Sequence, residues 1–423
     1  MAQNVNQILS SPTASYRNKV NIQARPALAM GEFVPLMACM ISLIALSIDA
    51  MLPALPDIGK DLHVPVENDR QLIISALFLG MSLSQLFFGP LSDSIGRKRA
   101  IYGGFVLFMA GSLMSAFSSS LEFMLAGRVL QGMGAAGPRI VCMALIRDQY
   151  EGREMARIMS FVMSVFVLIP AVAPALGQAI IAVSHWRAIF GAFVVLAIFI
   201  WIWFALRQPE TLQVEHRVPF SLSVILAGVM ETCGNRIALN YTIVAGIVLG
   251  AFIGYLTTAQ QMFSDIYGVT DMFPLYFAVL ALVIGFSSIV NGRLVIRLGM
   301  RFLSTLAIIN ITLASFVFLA YLTLVGGQVE LWLNMAYFSV AFLSVGVLFG
   351  NLNAMAMEPL GHIAGVGAAV VGSISTLVAA VLGTVIGQLF DGTIVPMVTG
   401  FAVLGSVAFV LMQWTERGRI ADA

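Results

Sequence analysis

A single carboxylate, that of Asp49, falls well inside an apolar stretch of this chain, and the guanidinium of Arg128 falls inside another. An ionised carboxylate in hydrocarbon costs about 3 kcal/mol, which makes such a residue a functional candidate. Burial disfavours the charged carboxylate and a nearby guanidinium favours it, so a group balanced between the two can bind and release a proton. We predict that Asp49 carries a proton with Arg128 as its partner. The plainer alternative is that Asp49 caps a helix or forms a structural ion pair.

The two residues are expected at similar depths. Asp49 lies eight residues before the loop residue Asp57. Arg128 lies seven residues after Leu121, the first residue of its own stretch. At about 1.5 Å per helical residue, both lie about 10–12 Å below the same membrane surface. Arg139 follows Arg128 after about three helical turns and projects from the same helix face. It is expected to reach toward the membrane surface, to pair with helix 1 or to bind an anion.

The composition requires a membrane around these charges. Of 423 residues 59% are hydrophobic and 10% charged, the net charge is +1 and the mean hydropathy is +0.94. A soluble domain carries about 25% charged residues, so a soluble enzyme, a disordered protein and a nucleic-acid binder are excluded. The three cysteines, Cys39, Cys142 and Cys233, fall in different stretches. They predict neither a disulfide framework nor a metal site.

Twelve apolar stretches are long enough to cross a bilayer as helices, which takes about 20 residues each. The stretches are too long and uniform for the strands of a membrane barrel. The fold class predicted is therefore an all-α membrane protein with twelve transmembrane helices. The expected spans are 33–54, 71–91, 100–118, 121–146, 156–183, 186–206, 237–260, 272–292, 302–324, 331–355, 365–390 and 394–414.

The basic residues orient these spans. Most of the 22 Lys and Arg residues fall in the terminal segments and the even-numbered connections, which the positive-inside rule places in the cytoplasm. The first 32 residues lack an apolar core followed by a cleavage site, so they are not expected to be a signal peptide.

The expected organisation is a cytoplasmic N-terminal segment, a six-helix bundle, a cytoplasmic linker whose piece 219–230 lies on the membrane surface, a second six-helix bundle and a cytoplasmic tail. Their bounds are 1–32, 33–206, 207–236, 237–414 and 415–423.

The two halves repeat each other. The loop after span 2, 89–99, and the loop after span 8, 292–301, share Gly, Leu, Gly and a basic residue at matching places. The offset of about 203 residues also separates span 1 from span 7. Such repeats are typical of secondary transporters, whose binding site lies between the halves near the middle of the membrane.

These residues resemble the major facilitator superfamily and, within it, the twelve-span drug:proton antiporters of the Bcr/CflA type. The loop 89–99 is similar to the superfamily's loop 2–3 signature, and Arg128 to Gly134 to its signature on helix 4. The run from Asp49 to Pro56 resembles the Bcr/CflA pattern on helix 1. The run from Pro170 to Gly177 resembles the antiporter signature on helix 5, without the glycines that precede it in many drug antiporters.

The resemblance implies roles for further residues. The loop would act as a cytoplasmic latch through Gly89, Asp93, Gly96 and Arg97. Asp93 is expected to approach the start of helix 11, where a helix dipole stabilises a carboxylate. A loop that only sets membrane topology is the alternative.

Helices 5 and 7 carry the other implied roles. Pro170 and Pro174, with Gly177, are expected to loosen helix 5 because proline removes a backbone donor. Phe252 and Tyr255 on helix 7 are expected to line the substrate cavity and, with Asp49, to bind the substrate.

The predicted function is proton-driven export of small amphipathic or drug-like molecules across the bacterial inner membrane. A proton-coupled symporter, or an exporter of one physiological solute such as an amino acid or a sugar, is the alternative, and a membrane enzyme or receptor is disfavoured. The expected partners are a small-molecule substrate, protons and membrane lipid, with the chain a monomer. The proton is the coupling ion, and no ATP, nucleic acid, metal or other cofactor is expected, because the sequence holds no phosphate loop or ligand cluster.

Overall fold

A computed structural model describes residues 28–327 and 329–422, and of residues 418–422 only the backbone. Within this part of the chain the secondary structure is helical, without a strand. The predictions made for most of the N-terminal segment, with its bases Arg17, Lys19 and Arg25, lie outside the described residues.

Twelve long helices, numbered α1 to α12 in chain order, correspond to the twelve expected spans, so the predicted fold class is confirmed. Two short helices, Leu55–Asp61 after α1 and the linker helix Leu222–Gly234, accompany them. The helices α10 and α11 form one 58-residue helical run, which is divided at Leu360 by its non-helical backbone (φ −99°, ψ 15°). The twelve are Met30–Asp49, Leu72–Ile95, Arg97–Ala116, Leu121–Gln149, Gly152–Val183, Arg187–Arg207, Arg236–Gln261, Phe273–Leu298, Met300–Leu324, Leu331–Met357, Ala364–Gln388 and Val395–Asp422.

The internal repeat is visible in the backbone. The helices α2 and α3 are joined at Gly96, with φ 100° and ψ 154°, and α8 and α9 at Gly299, with φ 80° and ψ 153°. Both positions lie in a region of backbone space that residues with a side chain rarely occupy, which explains why the two loops share a glycine there.

The packing of the helices repeats as well. The contact of α1 with α5 recurs as that of α7 with α11, and the contact of α2 with α4 recurs as that of α8 with α10. Small residues make these contacts possible, as expected for helices that approach closely within a membrane. On α7, for example, Gly246, Gly250 and Gly254 face side chains of α11. The twelve helices therefore form two six-helix bundles of the same design.

The two bundles meet along two seams, one between α2 and α11 and one between α5 and α8. We call the side of the molecule that holds the linker 208–235 the linker side, and the opposite side, which holds the short helix Leu55–Asp61, the far side. Large apolar side chains such as Leu83, Phe199 and Phe286 are exposed on the outer surface, which suits a surface that faces lipid.

Candidate functional site

Asp49 is the last residue of α1 and is 3% exposed. The helix ends there because Pro53 and Pro56 follow, and each begins a new short helix. Among the described residues, none donates a hydrogen bond to the Asp49 carboxylate or forms an ion pair with it. The structure therefore places at a helix end inside the protein an acid that has no partner among the described residues.

Arg128 on α4 is completely buried. Its guanidinium donates to the carbonyl oxygen of Ile73 at 3.1 Å, to that of Ser47 at 3.0 Å and to Oε1 of Gln131 at 2.5 Å. The direct pairing expected between Arg128 and Asp49 is not formed, because carbonyl and amide oxygens already occupy the donors. Arg128 nevertheless fixes α1 two residues before Asp49 and also reaches the beginning of α2.

Gly177 on α5 holds the other side of this helix end. A Cβ atom at Gly177 would overlap the backbone carbonyl of Ala50, the residue after Asp49. The predicted role of Gly177 was to loosen α5, and the structure shows it in close contact with α1. The absence of a side chain is therefore needed for packing.

The two aromatic residues expected at the cavity, Phe252 and Tyr255, lie side by side on α7, and Tyr255 lies near Asp49. Tyr255 is 1% exposed, interacts electrostatically with Asp49 and packs its ring 4.8 Å from that of Phe342. Its hydroxyl has no hydrogen-bond partner among the described residues. Phe252 is half-buried and lies 5.6 Å from the rings of Phe342 and Phe349. The second bundle thus faces Asp49 with aromatic rings and one unused hydroxyl.

A polar cluster on the far side joins the two bundles. Gln71 at the start of α2 donates to Gln261 at the end of α7, which donates to Asn68 at 3.3 Å. The amide of Asn68 donates to the carbonyl oxygen of Phe390 at 2.7 Å, and Gln388 donates to that of Asn68 at 3.0 Å. We call these four side chains, Asn68, Gln71, Gln261 and Gln388, the far-side clasp.

Other direct polar contacts between the helices of the two bundles support the same picture. Arg70 pairs with Asp265 at 3.4 Å beside the clasp, and Gln85 donates to Thr376 at 3.2 Å near the middle of α2. In the described part of the chain such contacts lie at mid-depth or nearer the far side. Polar contacts therefore hold the two bundles together on the far side. The far-side clasp lies between Asp49 and the far-side surface.

On the linker side the predicted latch makes different contacts from those expected. Asp93 pairs with Arg97, whose Nε also donates to Asp148 at 2.9 Å. The expected contact of Asp93 with the start of α11 is wrong for this structure, because a linker segment lies there. The backbone N–H of Val218 donates to the carbonyl oxygen of Asp93 at 3.1 Å. The linker helix in turn packs against α11, where Gly228 faces Val366.

The linker also caps a helix. The carboxylate of Glu210 accepts hydrogen bonds from the backbone N–H groups of Arg97 at 2.9 Å and Lys98 at 3.0 Å. These are free donors in the first turn of α3, so a carboxylate there is favoured both as a cap and by the helix dipole. The Gly89 backbone makes no close contact that a side chain would disturb, whereas Gly96 lies directly against Glu210.

The prolines of α5 do not interrupt the helix, which runs from Gly152 to Val183 through both Pro170 and Pro174. Their role in a change of conformation stays a prediction. Arg139 is half-buried on α4 and, in the described part of the chain, has no hydrogen-bond or ion-pair partner.

Sequence reasoning missed the clasp and Gln131, which holds the Arg128 guanidinium and itself donates to Ser112 at 2.9 Å. A signal was present, because an amide inside an apolar span must find a partner. Gln71, Gln131 and Gln261 each lie in or next to such a span. The linker acid Glu210 gave no comparable signal, since it does not lie inside an apolar span.

The fold and the site together define a class of protein: a multi-pass membrane protein of two repeated six-helix bundles, with an acid enclosed between them. The family model described as Major Facilitator Superfamily matches residues 37–384. The chain belongs to the major facilitator superfamily, whose members are transporters rather than enzymes.

Curated relatives agree with this assignment. The MFS-type transporter YdgK of Bacillus subtilis (strain 168) is 30% identical over 86% of this chain and 91% of its own length. The bicyclomycin resistance protein homolog of Haemophilus influenzae is 28% identical over 83% of this chain and 87% of its own. Multidrug resistance protein D of Escherichia coli (strain K12) is 26% identical over 80% and 84%. The resemblance to the Bcr/CflA-type drug efflux group is thereby confirmed.

Solved structures match the fold. The peptide transporter POT, in complex with sulfate, superposes with a TM-score of 0.73 at 13% identity, over 94% of this chain and 96% of that chain. A D-xylose-proton symporter superposes with a TM-score of 0.67 at 14% identity, over 90% and 97%. Identities this low establish the shared architecture alone.

Proposed function

We propose that this transporter exports small amphipathic or drug-like molecules across the bacterial inner membrane in exchange for protons, with Asp49 as the site of proton exchange. The observation that carries the proposal is the enclosure of Asp49, which has no partner among the described residues, near Tyr255 of the second bundle. Tyr255 and the rings that pack on it, Phe252 and Phe342, are called the aromatic wall. The names of two relatives, a bicyclomycin resistance protein homolog and multidrug resistance protein D, point to drug-like cargo.

The proposed coupling uses one acid for two ligands. Substrate that enters from the cytoplasm packs on Phe252 and Tyr255, and its binding is favoured when Asp49 has lost its proton. A proton that enters from outside neutralises Asp49, and the empty site then returns to the state that is open to the cytoplasm. A ligand that binds one conformation and one protonation state more tightly shifts the population toward them, which is what links the two fluxes.

The direction of the protein in the membrane follows from its charges. The linker side holds Arg153, Arg157, Arg293, Arg297 and the linker itself, and the far side is poor in basic residues. We infer from the positive-inside rule that the linker side, with both termini, faces the cytoplasm. With the far-side clasp closed, the site would then be reached from the cytoplasm, where an exporter collects its cargo.

The aromatic wall suits substrates that vary in shape. Rings that pack edge-to-face can reorient around a ligand, and the aromatic surface binds apolar groups without a fixed pattern of hydrogen bonds. The free hydroxyl of Tyr255 offers one polar contact. This arrangement favours amphipathic cargo over a sugar or an amino acid, which would need several directed polar groups.

Everted membrane vesicles from a host without its own efflux pumps test the proposal. The vesicles are energised by respiration until the lumen is acidic, and a candidate drug is then added. We expect release of protons from the lumen together with uptake of the drug. Coupling in the opposite direction would show a symporter, and movement that ignores the proton gradient would contradict proton coupling.

Two variants assign the coupling to Asp49. Asp49→Asn keeps the size of the side chain but cannot ionise, so we expect gradient-driven transport to be lost. The matched control is Asp57→Asn, because Asp57 is an exposed acid only eight positions along the chain, and we expect it to transport normally. Active export by Asp49→Asn, with the protein present at the wild-type level, would remove Asp49 from the mechanism.

A further inference from the structure

Four arginines stand at the linker-side end of the seam between α5 and α8, two from each bundle. They are Arg153 and Arg157 near the start of α5, and Arg293 and Arg297 near the end of α8. All four side chains are exposed. In the part of the chain that the structure describes, none of them forms an ion pair, whereas Arg207 pairs with Glu32.

The register of the two antiparallel helices sets their heights. Gln178 on α5 donates to the carbonyl oxygen of Asp271, which precedes α8, and farther along the seam Val167 packs where Gly285 leaves room. Continued at about 1.5 Å per residue, this register places Arg157 on α5 level with the stretch between Arg293 and Arg297 on α8. Basic side chains of both bundles therefore lie at one depth on the two helices that form the seam.

Exposed apolar side chains lead from the membrane interior to these arginines on both helices. On α5, Phe161 is 50% exposed, and the Arg157 guanidinium lies 5.8 Å from its ring centre. On α8, Phe286 is 64% exposed about two turns before Arg293, and Ile289 is 63% exposed about one turn before it. Each helix thus presents an apolar strip that ends in a cation, which matches the chemistry of a phospholipid.

The charge balance favours an anionic headgroup. Two acids, Glu151 and Glu154, lie beside the α5 arginines and are exposed, and the membrane-buried and linker-side parts of α8 carry none. The four arginines outnumber the two acids, so the local net charge is positive, and each bundle contributes two of the arginines. Basic pockets between transmembrane helices on the cytoplasmic side are known binding places for acidic lipids.

We propose that the linker-side end of the α5–α8 seam binds an anionic phospholipid, whose phosphate lies between Arg157 of the first bundle and Arg293 of the second. The acyl chains lie along the strips of Phe161 and of Phe286 and Ile289. Arg153 and Arg297, about one turn farther out, supply additional positive charge. The lipid bridges the two bundles at a place where their own polar contacts are absent from the described residues.

Native mass spectrometry of the purified full-length protein tests this. The protein is titrated with phosphatidylglycerol and, separately, with phosphatidylcholine of the same chains. We expect one phosphatidylglycerol to be retained in preference to phosphatidylcholine. Each basic residue close to an anionic lipid contributes on the order of fivefold in affinity, so the double variant Arg157→Gln/Arg293→Gln should bind phosphatidylglycerol about 30-fold more weakly.

The matched control is Arg99→Gln/Arg147→Gln, which removes two exposed arginines from the same side of the molecule but away from this seam. We expect its affinity to change less than twofold. Equal losses in the two double variants would mean diffuse attraction and would overturn the proposal. Thermal unfolding in phosphatidylcholine micelles, unchanged in both variants, verifies that they are folded.

Two more measurements decide whether the site bridges the bundles and takes a lipid. Arg157→Gln and Arg293→Gln, tested singly, should each lose a large part of the preference, and dependence on one of them alone would overturn the bridging arrangement. Glycerol phosphate at the concentration of the lipid should not displace it. Displacement by glycerol phosphate would show an anion site that does not need acyl chains, against the proposal.

Discussion

Arg128 on α4 donates a hydrogen bond of 3.0 Å to the backbone carbonyl of Ser47 on α1, two residues before Asp49. The same guanidinium donates to the carbonyl of Ile73 at the start of α2. The base therefore positions the helix end that carries the acid, and it does so without neutralising the acid. This separates the stability of the site from the charge of Asp49.

The first prediction follows from that separation. Asp49→Asn should change the free energy of unfolding by less than about 1 kcal/mol, because no partner in the described part of the chain loses a bond to it. Breaking a buried ion pair would cost about 3–5 kcal/mol. Thermal unfolding of the purified variant in detergent micelles measures the difference. A loss in the ion-pair range would show that Asp49 is paired with a base.

Arg128 should behave in the opposite way. Arg128→Ala leaves two carbonyls and the Gln131 amide oxygen buried without their donor, and bonds to a charged group are worth about 1.5–3 kcal/mol each. We expect a loss of at least about 3 kcal/mol of stability, with a smaller loss for Arg128→Lys, whose ammonium keeps the charge but lacks the planar fork. Exposed Arg99 provides the control: Arg99→Ala should unfold like the wild type, and equal stability of Arg128→Ala would contradict the geometry.

The close contact of α5 with α1 predicts a third result. Gly177→Ala puts a methyl group into the Ala50 carbonyl, and overpacking of this kind costs about 1–3 kcal/mol. We expect lower thermal stability and slower transport, because the helix end at Asp49 must move. Gly191→Ala on α6 meets nothing within 4 Å and should be neutral or slightly stabilising, since alanine favours helix. Similar effects of the two substitutions would mean that α5 and α1 do not touch there.

The sequence predicted the helices well because lipid imposes a strong and simple rule. An apolar run of about 20 residues has to satisfy its own backbone and becomes a helix. Helix ends were less accurate, as at α1, where the run 33–54 ends as a helix at Asp49. The reason is that Pro53 and Pro56 start new short helices, and the hydropathy of the run does not register this change.

Contacts between distant residues were harder to predict. The pairing of Asp49 with Arg128 was inferred from depth, which fixes height along the membrane but not the rotation of either helix. The resemblance implies a contact of Asp93 with α11, and here the linker occupies that place. Glu210 could not have been singled out, because its function depends on where the linker folds back rather than on its own neighbours.

The far-side clasp leads to a prediction about conformation. Gln71→Ala removes the bond to Gln261, and a hydrogen bond is worth about 1 kcal/mol net. We therefore expect the equilibrium between the state closed on the far side and the state open there to shift about fivefold toward the open state. Double electron–electron resonance measures the distance between the bundles. The spin labels are attached at Val66→Cys and Leu389→Cys, two exposed positions. Cys39, Cys142 and Cys233 are first replaced by alanine.

The control for the clasp is Gln149→Ala on the linker side, where the amide bonds only to its own helix at Leu145. We expect its distance distribution to match the unsubstituted background. A longer distance in the Gln71→Ala protein supports the clasp as the far-side gate. Identical distributions in the two variants would show that the clasp does not hold the bundles together.

The carboxylate of Glu210 gives the last prediction. It accepts from the N–H groups of Arg97 and Lys98 and so joins the linker to the first turn of α3. Loss of a cap costs about 1 kcal/mol, so Glu210→Ala should speed amide hydrogen exchange in the first turn of α3 about fivefold. Glu215→Ala, an exposed acid in the same linker, should leave that exchange unchanged. If both variants exchange like the wild type, the Glu210 carboxylate does not hold the linker on the first turn of α3, and the cap is contradicted.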